Sequence, residues 1–238
     1  MLCFDIVTTP EADPFHRLLA MVAPAVVLGL VAGAPSASAA PGSPDRTVEQ
    51  ARSLLEAGRE EKAARVIRNA RGLDSGDSAV TEALRDLLEE ARTAIRTADR
   101  PKRADGARIL LCTVRYRLGV AEATADGNGI GLAANHLRRW DDPELEPMER
   151  LYSPMPDFAG AALRLRHEAA VVTQLIIDQE GCVTSIKPLV DADYELDAAY
   201  GLVDRTVETL ATWVFRPALL DDQPVAVYHT LTTSFRLQ

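Results

Sequence analysis

The spacing of apolar residues changes period along the chain, and that change restricts the fold more than any other feature. Between Thr47 and Leu73 the apolar positions Ala51, Leu54, Leu55, Ala63, Val66, Ile67, Ala70 and Leu73 recur at helical spacing, with one break at Gly58. Val80, Leu84, Leu87, Leu88, Ala91 and Ile95 continue the pattern, with Ser78 the expected N-cap and Glu82 in the first turn. The basic cluster "RPKRADG" at 100–106 interrupts it, and a last helix is expected over Ala107–Ala121. Three or four antiparallel helices between 45 and 122 accommodate these stripes. Beyond residue 170 the character is that of strands. "VVTQLIID" (Val171–Asp178) is apolar on both faces, as a strand with a neighbour on each side would be. Gly181 turns the chain, Val183 to Lys187 return it, and Pro188, which has no N–H, assigns the second strand to an edge.

The remaining C-terminal stretch supplies one more helix and one more strand. Leu196, Ala199, Tyr200, Val203, Val207, Leu210 and Ala211 form a single apolar stripe, which predicts one amphipathic helix of about five turns. "TWVFRPA" follows, in a chain of only 5% aromatic residues. Trp213, Phe215 and Pro217 are expected in the core where the helix hands over to the sheet, with Pro217 ending the stretch. In the long last strand, Pro224–Leu237, one face carries Val225, Val227, Leu231, Phe235 and Leu237. The other carries Ala226, Tyr228, Thr230, Thr232, Ser234 and Arg236. The fold class is therefore an all-α helical-hairpin region (45–122) followed by an α+β domain (154–238) of about three antiparallel strands with a long helix on one face. The acidic stretch between them, 123–153, contains prolines and reads as a linker.

Charge and motifs exclude several functions. At 238 residues and 47% hydrophobic the chain can bury a sizeable core, and its net charge of −9 argues against nucleic acid as a partner. "TADGNGIG" (124–131) has glycines but no preceding strand and no following Lys-Ser/Thr, so it is a loop rather than a phosphate cradle. Asp191, Asp193 and Glu195 could be imagined around a cation, but they complement the dipole of the helix they precede. His229 lies on the apolar side of the last strand with no Ser, Cys or second His placed to work with it, and is expected to be a packed or rim histidine. No catalytic residue, metal site or cofactor is assigned, and the protein is not expected to be an enzyme.

The N-terminal segment points to export. Leu18 to Ala34 are 17 uncharged residues after Arg17, and Ala37 and Ala39 supply the small residues that signal cleavage requires. Residues 1–40 are read as a signal peptide cleaved near Ala39 or Ala40, which locates the protein in the periplasm. The acidic residues Asp5, Glu11 and Asp13 ahead of the run depart from that pattern, and an uncleaved anchor in the inner membrane is the alternative. Cys112 and Cys182 remain after cleavage; an exported compartment permits their pairing, but spacing does not bring them together, and two unpaired thiols are expected.

Two family resemblances follow from these residues. Gly58, Ala63, Ile67, Ala70 and the Leu73-Asp74 pair resemble the second half of a tetratricopeptide repeat. The order "PDF" (156–158), Leu165-Arg166, Glu168, a strand, Gly181, a strand, a helix, Trp213-x-Phe215-x-Pro217 and a last strand ending in "FRL" resembles the TonB C-terminal domain over 154–238. That resemblance implies a periplasmic domain that pairs its last strand with a short extended segment of an outer-membrane transporter. The edge residues Val225, Val227, Tyr228, His229, Leu231 and Thr233 are then the candidate partner-binding set, by β-strand addition. The chain departs from a TonB-type energy transducer: packed helices stand where a Pro-rich rod would, and "LLDDQ" lacks the usual turn glycine. A binding or adaptor protein for an envelope partner is the expected function; an energy transducer with an uncleaved anchor is the alternative, and a homodimer is open.

Overall fold

The structure is a computed structural model that describes residues 43–74, 76–126, 137–189 and 194–237. The candidate signal segment, the glycines of 127–131, and Asp191 and Asp193 lie outside the described residues.

Four helices form the N-terminal half: α1 (Pro44–Glu56), α2 (Glu60–Asn69), α3 (Ser78–Thr97) and α4 (Pro101–Asp126). Helix α1 packs on α2 and α3, and α4 packs on α2 and α3. The apolar stripes explain this arrangement: Val48, Ala51 and Leu55 meet Ala63, Ala64 and Ile67, while Val80, Leu84, Leu87 and Ala91 face Leu110, Leu111 and Val114 in one core. Two expectations need correction. The N-cap of α3 is Asp77, whose carboxylate accepts from the Ala79 N–H at 2.9 Å, so Ser78 is already helical. Helix α3 does end, at Thr97, before the basic cluster at 100–106, but the last helix begins at Pro101 rather than Ala107, because a proline at the first helical position lacks only an N–H that has no partner there anyway.

The C-terminal half is built on a sheet. Its elements are β1 (Arg138–Arg139), β2 (Glu149–Tyr152), α5 (Gly160–Leu165), β3 (Ala169–Ile177), β4 (Val183–Pro188), α6 (Tyr194–Ala199), α7 (Leu202–Leu210), β5 (Val214–Arg216), β6 (Ala218–Leu220), β7 (Gln223–Val225) and β8 (Val227–Phe235). The main sheet runs β1-β8-β3-β4, with β3 antiparallel to both β8 and β4 and β1 parallel to β8. The molecule is thus a mixed α+β protein, helical first and sheet-based second, and the apolar β3 does lie between two strands with Pro188 on an edge.

Three departures from the sequence reading stand out. The five-turn helix is broken into α6 and α7 at Gly201, whose φ of +77° ends one helix and turns into the next. The long last strand is also divided. Val225 belongs to β7, which pairs with β6 through a two-residue turn, Asp221 and Asp222, at φ +50° and +61°. Aspartate tolerates the left-handed region well enough to replace the missing glycine in such a hairpin. Finally, 137–153 is not a linker: β1 joins the main sheet and β2 pairs antiparallel with β5, Arg150 opposite Phe215.

The pairing of β2 with β5 makes a wall between two cores. On β5, Phe215 turns into the sheet core with Trp213, Leu175, Ile177 and Leu210, while its neighbour Val214 turns into the helical core with Cys182 and Leu111. Trp213, Phe215 and Pro217 are all buried, and the Trp213 indole N–H donates to the Pro154 carbonyl at 2.8 Å. Cys112 and Cys182 form a disulfide, contrary to the expectation of free thiols. Docking of the β3–β4 turn on α4 brings together two residues that spacing alone leaves unrelated.

Candidate partner-binding edge

Strand β8 alternates as its sequence dictates: Val227, Thr233 and Phe235 are buried, and Thr230, Thr232 and Ser234 are exposed. Backbone direction alternates with it. The Trp140 N–H donates to the Tyr228 carbonyl at 3.0 Å, on the side of β8 away from β3. By the two-residue period, the N–H and C=O groups of Thr230, Thr232 and Ser234 also point away from β3. Among the described residues no strand lies beside them. Three donors and three acceptors therefore form an open edge flanked by short, uncharged side chains.

This edge differs from the predicted set. Val225 is paired with Ala218 in the β6–β7 hairpin, and Val227 and Tyr228 are covered by Arg138 and Arg139 of β1. His229, Leu231 and Thr233 lie on the edge strand, but their backbone groups face β3. What a partner strand would meet is Thr230, Thr232 and Ser234. The alternation that assigned Val227 and Leu231 to the core also marks these three; the missing step was that backbone polarity follows the same period.

His229 is half-buried, opposite Leu175 of β3, and the Trp140 ring meets it edge-on at 4.5 Å between centroids. Its Nδ1 is buried and takes no hydrogen bond among the described residues. Burial pushes the imidazole below its ordinary pKa, and the Arg150 charge adds to this against the weaker pull of Asp141. The Trp140 ring thus packs on His229 just where β1 ends beside β8. Elsewhere on the sheet, His167 Nε2 lies 2.7 Å from the buried Asp197 carboxylate and ties the start of β3 to α6.

The sheet that carries the edge is held on the helical half at one turn. Asp178 Oδ1 accepts from the Glu180 and Cys182 N–H groups at 2.9 and 3.0 Å, closing the β3–β4 turn. Arg115 reaches Asp178 at 2.5 Å and Glu180 at 2.7 Å, and Arg92 reaches Glu180 at 2.8 Å. Burial would raise the Glu180 pKa, but Arg92 and Arg115 outweigh it and hold the carboxyl below its ordinary value. Gly181, at φ +88°, accepts a hydrogen bond on its carbonyl from the Phe215 N–H at 2.9 Å. A Cβ there would lie 1.9 Å from the Phe215 carbonyl oxygen. Partly exposed ion pairs contribute about 0–1 kcal/mol each, against about 1.5–3 kcal/mol for a buried apolar side chain. Val214, Leu151 and Tyr152 against the helical core, with the disulfide, therefore do more to join the halves than the arginines.

Among the described residues no group of three or more His, Cys, Asp or Glu side chains could hold a metal ion, and no helix is long and apolar enough to cross a membrane. The chain matches no protein-family model and no curated protein.

Proposed function

We propose that this is a non-enzymatic binding protein of the cell envelope, exported to the periplasm, that captures an extended segment of a partner protein by adding it to the edge of β8. The observation that carries this reading is the open backbone of Thr230, Thr232 and Ser234 on a strand otherwise paired along its length with β3. Edge strands this long are ordinarily blunted by charge, proline or a bulge, and 227–235 carries no charged residue and no proline. The resemblance of 154–238 to the TonB C-terminal domain supports the same strand as the contact. It also suggests the partner class, an outer-membrane protein with a short extended segment.

Affinity from such pairing is modest. Net contributions of about 1 kcal/mol per hydrogen bond are largely offset by the cost of association, so capture by backbone alone is weak and reversible. The helical half, joined by a disulfide and a shared core, suits an adaptor with a second docking surface.

Site-specific photo-crosslinking in the full chain tests the proposal. A crosslinker at Thr232 should capture one envelope protein, identified by mass spectrometry, that a crosslinker at Lys187 on the opposite edge does not. Identical capture from both edges, or undiminished capture at Thr232 when Thr230→Pro removes a neighbouring outward N–H, would sink it.

A further inference from the structure

A second feature lies in the helical half, independent of the β8 edge. A cavity of about 280 Å³ opens where the start of α2 meets the start of α4, and five of its lining side chains are cationic: Arg59, Lys62, Arg100, Lys102 and Arg103. They come from two stretches some forty residues apart in a chain whose net charge is −9. The carboxylates nearby are accounted for in part. Glu60, 6% exposed, accepts from Arg103 Nε at 3.0 Å, and Asp99 lies 3.4 Å from Arg103 Nη1 and 3.6 Å from Arg100 Nε. Glu61 also lines the cavity. Arg59, Lys62 and Lys102 have no carboxylate partner among the described residues.

The two ends are brought together by a close backbone approach. Gly106 of α4 has the Glu60 Cβ only 3.0 Å from where its own Cβ would be, so a side chain there would push α4 away from α2. The Arg103 guanidinium lies 3.4 Å from the Cβ position of Gly58, fixed by Glu60 and Asp99, while its Nη2 takes no hydrogen bond among the described residues. One guanidinium is thus held in place before any ligand arrives, and three unpaired cations surround it. Fixed donors lose less entropy on binding, and charge-assisted bonds to oxyanions are the strong ones.

We infer that this cavity is a binding site for phosphate groups borne in a pair, as in a diphosphate ester or on adjacent anionic lipid headgroups. Arg59, Lys62 and Lys102 carry charge that no carboxylate among the described residues offsets, beside the prepositioned Arg103. That matches the several negative charges of paired phosphates better than the charge of one, and the cavity of about 280 Å³ admits a group of that size.

The full chain is titrated with inorganic pyrophosphate by calorimetry in low salt, and mixed with phosphatidylglycerol or phosphatidylcholine vesicles in a flotation assay. Two charge-matched variants are compared: Arg59→Gln/Lys62→Gln/Lys102→Gln in the cavity, and Arg164→Gln/Arg166→Gln/Lys187→Gln on the sheet half. Saturable binding of pyrophosphate, weakened about tenfold by the cavity variant and unchanged by the other, is the expected result and assigns a soluble diphosphate. Flotation with phosphatidylglycerol alone, lost in the cavity variant only, assigns headgroups instead. Binding of neither probe, or equal weakening by both variants, overturns the inference. Crosslinking at Thr232 reads the β8 edge separately, so the failure of one does not imply failure of the other.

Discussion

The Cα atoms of Cys112 and Cys182 are 5.2 Å apart although 70 residues separate them in the chain, and the sulfurs are bonded. The bond joins the middle of α4 to the end of the β3–β4 turn, both buried. Closing a loop of this length removes unfolded-state entropy worth about 4.4 kcal/mol. Cys112→Ser/Cys182→Ser should lower the unfolding free energy by about that much in chemical denaturation. Reductant should destabilise the wild type to the same level and leave the variant unchanged.

Two glycines with similar backbone angles should behave differently. Gly181→Ala requires a Cβ 1.9 Å from the Phe215 carbonyl oxygen at φ +88°, and should cost about 3 kcal/mol or more. Gly76 has φ +70° but nothing within 4 Å, so Gly76→Ala should cost only about 1 kcal/mol. Denaturation midpoints of the two variants decide between a steric and a purely conformational demand.

Proline reads the direction of the β8 backbone. The Thr232 N–H points away from β3 and the Thr233 N–H towards it, so Thr232→Pro should leave the fold largely intact while Thr233→Pro breaks a ladder bond and costs about 3 kcal/mol. Thermal unfolding of the two variants should separate clearly. Equal losses would mean that the edge groups of β8 are already paired.

Acid should weaken the fold in two stages. His229 has a folded pKa below its ordinary value of 6.5, so the unfolded chain takes up its proton first and stability falls as pH drops below about 6.5. Glu180 has a folded pKa below its ordinary 4.5, so its contribution, present above that value, is lost as pH falls further. His229→Phe should remove the first stage and Arg92→Gln/Arg115→Gln the second. The His229 imidazole should titrate below 6.5 by NMR in the folded protein.

Local patterns in the sequence were sufficient for the helices α1 to α3 and for β3 and β4, and placed β8 but ran it together with β7. Val80, Leu84, Leu87 and Ala91 are buried at the spacing that identified them, and Pro188 lies on an edge because it has no N–H to offer. What needed coordinates was docking. The 137–153 stretch reads as acidic and Pro-containing, yet β2 forms because Val214, Phe215 and Arg216 present it with an edge. Gly201 sits inside an apolar stripe that continues through it, and only its left-handed backbone shows that α6 and α7 are separate. The predicted edge residues failed in the same way: β1 covers Val227 and Tyr228, and two residues such as Arg138 and Arg139 leave no periodic trace.

The wall formed by β5 also sets an order of assembly. Val214 and Cys182 complete a core whose other members, from Val48 to Leu118, are synthesised far earlier. The helices therefore cannot finish burying their apolar face until the ribosome has passed residue 214. The surface that meets Val214 and Cys182 is thus the last part of the helical core to close, after every residue from Val48 to Leu118 is in place.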